Sequence, residues 1–481
     1  MTPASIASLM ASMFELEASD IRLLDAGAGV GSLTAAFVAE ACRRATPPRS
    51  IAVTAFEVEP AMLARLRVVL DDCEREASAA GVRFADRVSA CDFVQSASAM
   101  LDTGLFGADA RPCFNGAILN PPYRKIHSAS RERSLLRAAG IETSNLYAAF
   151  VALAIRLLEP GGELVAITPR SFCNGPYFKP FRQLLLREMA LLRVHLFETR
   201  DRAFAEDAVL QENVIFHAKK GAPRGRVALS TSAAPDARVR VRTLPHDAVV
   251  NPCDPNAFIH LAVSDGDEHH SATIQALPCT LPDLGIQVST GRVVDFRARE
   301  FLRKEPGRRT VPLIYPAHFD AGFVSWPRLD GRKPNALADV DATADLMVMS
   351  GTYVLTKRFT SKEERRRVVA AVYDPGRLTD DTGRVGFENH VNYFHANGGG
   401  LPKLVARGLA TYLNSSLVDR YFRQFNGHTQ VNAADLRSLR YPSLEALRAM
   451  GRRIGASFPD QAGVDEIVEA ALPYARNDSA R

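Results

Sequence analysis

Asn120-Pro121-Pro122-Tyr123, directly after the apolar run Gly116-Ala117-Ile118-Leu119, are residues that together could methylate an amine. An exocyclic amino group conjugated to an aromatic ring is a poor nucleophile. A catalyst must accept hydrogen bonds from its two N–H groups and draw the lone pair out of the ring plane. The Asn120 side-chain oxygen and the Pro121 carbonyl are two acceptors suited to that task. Consecutive prolines fix the turn, and Tyr123 offers a flat face on which a nucleobase stacks. A plain proline turn after a strand is the alternative, so the elements that would position such a site decide the matter.

Upstream, Leu23-Leu24-Asp25-Ala26-Gly27-Ala28-Gly29-Val30-Gly31-Ser32 reads as an apolar strand, a glycine-rich turn and a helix starting near Ser32. Gly27, Gly29 and Gly31 let the backbone approach a nucleotide. Ser32 stands where the dinucleotide fingerprint requires its last glycine, which disfavours a nicotinamide cofactor. The next strand, Ile51 to Phe56, ends at Glu57-Val58-Glu59-Pro60. Glu57 is the expected acceptor for the hydroxyls of a ribose, with Glu59 second. At Cys91-Asp92-Phe93 a third strand end offers Asp92 to an adenine amino group and Phe93 to the ring of a bound cofactor. Residues 25, 57, 92 and 120 thus fall at successive strand ends, the edge along which doubly wound sheets collect ligands.

This order of glycine turn, acidic ribose binder, Asp-Phe and Asn-Pro-Pro-Tyr resembles the gamma class of S-adenosylmethionine-dependent DNA adenine-N6 methyltransferases. Asn145–Phe150 and Gly161–Pro169 are similar to the helix and strand after the catalytic motif in that class. Leu210-Gln211-Glu212-Asn213 and Phe425-Asn426-Gly427-His428-Thr429-Gln430-Val431-Asn432 resemble the BsuBI/PstI-type restriction-modification methylases in particular. The resemblance implies S-adenosyl-L-methionine as cofactor, double-stranded DNA as partner and a separately encoded endonuclease as candidate companion. It also implies a lid motif at Thr2-Pro3, cofactor contact by Asp25, and an aromatic, Phe204, that stacks on the face of the base opposite Tyr123. The matching motif in that class has further residues ahead of the Thr-Pro, so an upstream start or a thinner lid is expected.

The fold so implied is α/β, a doubly wound Rossmann-like methyltransferase sheet followed by an α+β DNA target-recognition domain. The expected divisions are a catalytic domain over 1–225, an irregular connection over 226–285 that holds a strand near Val239–Arg242, and a recognition domain over 286–481. Length supports more than one core: 481 residues, 47% hydrophobic and 23% charged, are ordinary for a globular protein of two domains. Leu146 to Ile155, the longest apolar stretch, is interrupted by Arg156 and is too short to span a bilayer. Seven cysteines without a C-x-x-C pair, in a chain without a basic signal-peptide head, suggest reduced thiols in a cytoplasm. Cys253, His269, His270 and Cys279 match no zinc spacing, and no metal is expected.

Residues 286–441 contain 24 Lys and Arg against 16 Asp and Glu. A basic excess there suits a duplex, because phosphate contacts supply most non-specific affinity. Lys357 and Arg358, beside Phe359, and His428, Gln430 and Asn432 are the candidate DNA contacts. Gln and Asn can bond bidentately to adenine edges, although a structural turn capping a neighbouring helix fits the same residues. Rival readings are methylation of a protein glutamine, of structured RNA or of cytosine N4, and a degenerate scaffold. The long carboxyl-terminal region favours DNA, and the intact motif favours an enzyme.

Overall fold

The computed structural model describes residues 2–102, 114–197, 212–234, 237–360, 364–378, 382–427 and 429–472. Two compact units are present. The first comprises Met1–Val263 with Phe425–His428; the second comprises Ser264–Gln424 and Thr429–Arg481.

Unit 1 is built on strands β1 (Asp20–Ala26), β2 (Ser50–Phe56), β3 (Arg83–Ser89), β4 (Phe114–Leu119), β5 (Leu158–Pro169), β6 (Met189–Phe197), β7 (Asn213–Lys220), β8 (Arg226–Ser232) and β9 (Arg240–Pro245). They form one sheet in the order β3-β2-β1-β4-β5-β7-β6-β8-β9. The first five are parallel, and β7 runs antiparallel to both β5 and β6. The chain steps outward from β1 to β3 and then returns to β4 on the other side of β1, which opens a crevice at the carboxyl ends of β1 and β4.

Helices α1 (Ala4–Ala11), α2 (Ser32–Cys42), α3 (Pro60–Ala79), α4 (Phe93–Leu101), α5 (Arg131–Ala138), α6 (Leu146–Leu157) and α7 (Lys179–Glu188) accompany this sheet. Strand residues alternate between its two faces because successive side chains point to opposite sides. Leu23, Ile118, Val165, Ile167 and Ile215 share one core with α1, α2 and α3. Their neighbours Leu24, Ala117, Leu119, Leu164, Ala166 and Phe216 share the other with α4, α6 and α7. Every residue of α6 except Arg156 is buried, which accounts for its apolar sequence without a membrane. Among the described residues no helix is long and apolar enough to cross one.

Where an irregular connection over 226–285 is expected, β8 pairs parallel with β6 and β9 pairs antiparallel with β8, so the sheet continues. The edge strand β9 carries Arg240 and Arg242 and leaves Val241 exposed. Charged residues of this kind discourage further strand pairing, and β9 overlaps the strand expected near Val239–Arg242.

Unit 2 contains two sheets. The six-stranded one runs in the order Gln287–Thr290, Val391–His395, Tyr353–Lys357, Ala370–Tyr373, Phe323–Val324 and Phe319–Asp320. The other has five strands, Leu302–Arg303, Ala336–Ala338, Thr310–Ile314, Arg384–Phe387 and Met347–Met349. Tyr353, Tyr373, Phe387 and Tyr393 form an aromatic core, with Tyr353 edge-on to Phe387 at 5.3 Å. Helices Lys403–Leu413 and Leu444–Arg452 approach closely through two glycines. A Cβ on Gly408 would lie 1.8 Å from the Leu447 carbonyl oxygen, and one on Gly451 would lie 1.9 Å from that of Leu404.

Candidate active site

Register brings the expected residues to one edge. Asp25 lies beside Ala55 of β2 and Ile118 of β4, and Ala26 lies beside Phe56, so Glu57 and Asn120 emerge at adjacent strand ends. The Gly27 and Ala28 amides both donate to the Phe56 carbonyl at 2.9 Å, which locks the glycine turn to β2. Gly29 is left-handed at φ 58°, and a Cβ there would meet nothing within 4 Å. Gly31, at φ 87°, packs so closely that a Cβ would meet Leu66 at 2.9 Å. The turn is therefore closed behind Gly31 and open at Gly29, the form a cradle for a nucleotide requires.

Glu57 is built into the same turn. Its Oε2 accepts the Gly29 amide, and Oε1 accepts the amides of Val58 and Glu59, each at 2.8 Å. The carboxylate is thereby fixed, and Oε2 keeps a lone pair for a hydroxyl. Glu59 sits at the N-cap of α3 without a side-chain cap bond.

Asp25 is fully buried. Its Oδ2 accepts the Thr34 hydroxyl at 2.7 Å, and Oδ1 has no partner among the described residues. Burial pushes this carboxyl up to about 7, against the opposing bond from Thr34. A buried acceptor without a partner under an open glycine turn suits a polar or cationic ligand. With the Gly29 opening and the Glu57 carboxylate, these residues fit an adenosine-containing cofactor.

Asp92 caps α4, accepting the Gln95 amide at 2.9 Å. Phe93 departs from expectation. As the first residue of α4 it turns into the core, 2% exposed, edge-on to Phe56 at 5.1 Å and tilted to Phe150 at 4.9 Å.

In the Asn120–Tyr123 turn, Pro121 is buried and Pro122 exposed. Asn120 Nδ2 donates to the Thr2 hydroxyl at 2.9 Å, while Oδ1 accepts the Tyr123 hydroxyl at 3.1 Å. Tyr123 is half-buried and meets Tyr147 edge-on at 6.1 Å, and Tyr147 stacks on Phe178 at 5.3 Å. Thr2 is thus bonded to Asn120, and Pro3 is the N-cap of α1.

Supports that sequence reasoning missed hold this arrangement. Glu163 and His217, both fully buried, bond at 3.0 Å, and Glu163 also accepts the Glu15 amide at 2.8 Å, tying the chain after α1 to the sheet. Burial would raise the Glu163 carboxyl, but His217, the Glu15 amide and Lys219 outweigh it and hold it below the usual range. Arg170 pairs with Glu212 at 3.0 Å, and Arg182, fully buried, donates to the carbonyls of Phe172 and Gly175 at 2.8 Å. Nothing in the sequence distinguishes these arginines from the others. Gly427 rests on the same Arg170 turn, its amide 3.3 Å from Asn174 Oδ1; a Cβ would lie 2.6 Å from the Arg170 carbonyl.

Phe204 and His428 lie outside the described residues. In unit 2, Lys357 is 3.9 Å from Glu364, and Arg358 donates to the Asn389 carbonyl while lying over the Phe359 ring. Gln430 is half-buried and bridges Phe359 through the backbone. Asn432, expected at a base edge, begins helix Ala433–Arg437. Its backbone and side-chain N–H groups are 2.8 and 3.4 Å from Asp435 Oδ2, so it is engaged as a helix cap.

Residues 61–204 match the family described as Eco57I restriction-modification methylase. The chain is 47% identical over 474 residues to the type II methyltransferase M.PstI of Providencia stuartii, covering 98% of this chain and 92% of that protein. It is 44% identical over 481 residues to the type II methyltransferase M.BsuBI of Bacillus subtilis, covering 98% and 93%. Among solved structures, the type IIL restriction-modification enzyme MmeI in complex with DNA shares the fold. The TM-score is 0.55 at 10% identity, over 96% of this chain and 70% of that one. The chain therefore belongs to the restriction-modification methylases and is a type II, S-adenosylmethionine-dependent DNA methyltransferase.

Proposed function

We propose that the enzyme methylates N6 of adenine within a short duplex sequence, as the modification partner of a separately encoded endonuclease in the cytoplasm. The observation that carries this reading is the acceptor Asn120 Oδ1, already facing a donor, the Tyr123 hydroxyl, at 3.1 Å. An amine N–H can take the place of that hydroxyl, and the Pro121 carbonyl is the second acceptor. Thr2 orients the Asn120 amide so that its oxygen faces inward.

The target adenine rotates out of the duplex and lies against Tyr123, with Phe204 on its other face. When bound, S-adenosylmethionine supplies an electrophilic methyl group on a good leaving group. Gly29, Glu57, Asp25 and Asp92 are the residues that would hold it. Asn120 and Pro121 localise the N6 lone pair, and no strong base is required of the protein. Holding the reactants together supplies roughly 7–11 kcal/mol of the barrier reduction.

The test is incubation of the purified protein with tritiated S-adenosylmethionine and, separately, duplex DNA, transfer RNA and protein, followed by single-molecule sequencing of the DNA. N6-methyladenine at one short motif is the expected result. N4-methylcytosine, or label in RNA or protein, would overturn it.

A further inference from the structure

The surface beside the catalytic turn holds groups that methyl transfer does not use. Arg124 and Lys125 follow Tyr123 directly. Both are exposed, and neither forms an ion pair among the described residues. By contrast, Arg133 and Arg137 on α5 are both tied to Glu142. The backbone beneath the two unpaired cations is rigid. Leu146 donates to the Arg124 carbonyl and Ile126 to that of Ser144, each at 2.8 Å, and Lys125 bridges Asn145, the N-cap of α6. Unpaired cations on a fixed support, beside a site that accepts a base, are placed for phosphate oxygens.

Tyr177 is the second feature. It is 76% exposed on a turn that cannot yield. A Cβ on Gly175 would lie 2.8 Å from both the Phe178 ring and the Ser171 carbonyl, and Arg182 holds the turn from below. Single exposed apolar side chains are common and need no explanation by themselves. What distinguishes Tyr177 is its location. Phe178 and Tyr123 both contact the ring of Tyr147. Tyr177 and Arg124 thus each adjoin, along the chain, one of two rings that pack on Tyr147.

We propose that Arg124, Lys125 and Tyr177 form a duplex-binding rim: the two cations contact phosphates flanking the target nucleotide, and Tyr177 stacks on a base plane beside the vacated position. This rests on the reading of the enzyme as one that rotates a base out of DNA. Contacts of these kinds go to backbone and to a π-face, so they position the duplex without reading its sequence.

The experiment uses the full-length protein and three variants: R124A/K125A, Tyr177→Ala and Tyr177→Phe. Binding to a fluorescein-labelled duplex is followed by anisotropy across a salt series, with DNA KM and cofactor affinity measured alongside. The double variant is expected to flatten the slope of log K against log salt by about 2, since each phosphate contributes about 0.9. Tyr177→Ala is expected to raise the DNA KM roughly 5- to 100-fold at unchanged cofactor affinity and thermal stability, as loss of one base–aromatic stack implies. Tyr177→Phe should restore it. An unchanged slope with an unchanged KM would overturn the rim, and a defect that Tyr177→Phe fails to rescue would overturn the stacking. Wild-type protein without duplex affinity would instead overturn the underlying DNA reading, and it would show before any substitution is made.

Discussion

The side-chain amide of Asn120 donates to the hydroxyl of Thr2 at 2.9 Å, across 118 residues of sequence. An Asn side chain presents oxygen one way and nitrogen the other, so a partner that takes the nitrogen determines where the oxygen points. Thr2 is accordingly a positioning residue for the Asn120 oxygen.

That relationship separates two variants. Asn120→Ala removes the acceptor and is expected to abolish transfer, by about 10²–10³ or more. Thr2→Ala leaves the acceptor in place but free to rotate, so kcat should fall by about tenfold, the scale of one hydrogen bond, with DNA KM little changed. Cofactor affinity by calorimetry should survive in Asn120→Ala. Full single-turnover activity in Asn120→Ala would remove it from the catalytic role.

Asp25 gives a pH dependence. Its carboxyl sits at about 7 in the folded protein against 3.8 unfolded, because burial penalises the charge. Between those values the folded state holds a proton that the unfolded chain has lost. The group's stabilising contribution is therefore fully present below about pH 4, declines as pH rises and is gone above about 7. The change is on the order of 4 kcal/mol. Asp25→Asn should flatten this decline in urea-unfolding free energies measured from pH 4.5 to 7.5, and an unaltered pH profile would count against the assignment.

Much of the candidate site's geometry was legible because it sits at strand ends, where a few consecutive residues fix it. Glu57 needs only the strand before it and the turn beside it. Glu163 and His217 were not legible, since 54 residues separate two members of a buried pair that meet only after β5 and β7 align antiparallel. Phe93 was legible as a residue near the pocket, but the start of a helix at that position turned its ring into the core. Gly427 carries no local signal beyond its place in the Phe425–Asn432 stretch. Its tight seat on the Arg170 turn depends on long-range packing that no local pattern encodes.

Gly408 tests the helix contact in unit 2. In an exposed helix, Gly→Ala stabilises by roughly 0.5–1 kcal/mol through backbone entropy. Here the new Cβ would fall 1.8 Å from a backbone carbonyl, which cannot swing away as a side chain can. The clash outweighs the entropy gain, so Gly408→Ala should destabilise by about 1–3 kcal/mol or more. A lowered Tm in calorimetry is the expected outcome. A raised Tm would mean that the two helices separate at little cost.

The pair Glu163–His217 makes the last prediction, because it connects stability to catalysis through the amino-terminal segment. Glu163 accepts three donors, from the His217 ring, the Lys219 ammonium and the Glu15 amide. Glu163→Ala leaves the fully buried His217 ring without a bonded partner among the described residues, since Nδ1 has none there. Leaving a buried polar group without its hydrogen-bond partner typically costs about 1–3 kcal/mol. The Glu15 amide is released as well, and α1 loses its tether to the sheet. The segment that carries Thr2 should then become accessible to limited proteolysis near residues 12–16, and kcat should fall by the factor expected for Thr2→Ala. Glu163→Gln retains an acceptor for the Glu15 amide and should recover part of both losses. Proteolysis at the wild-type rate in Glu163→Ala would show that α1 is held by its apolar face alone.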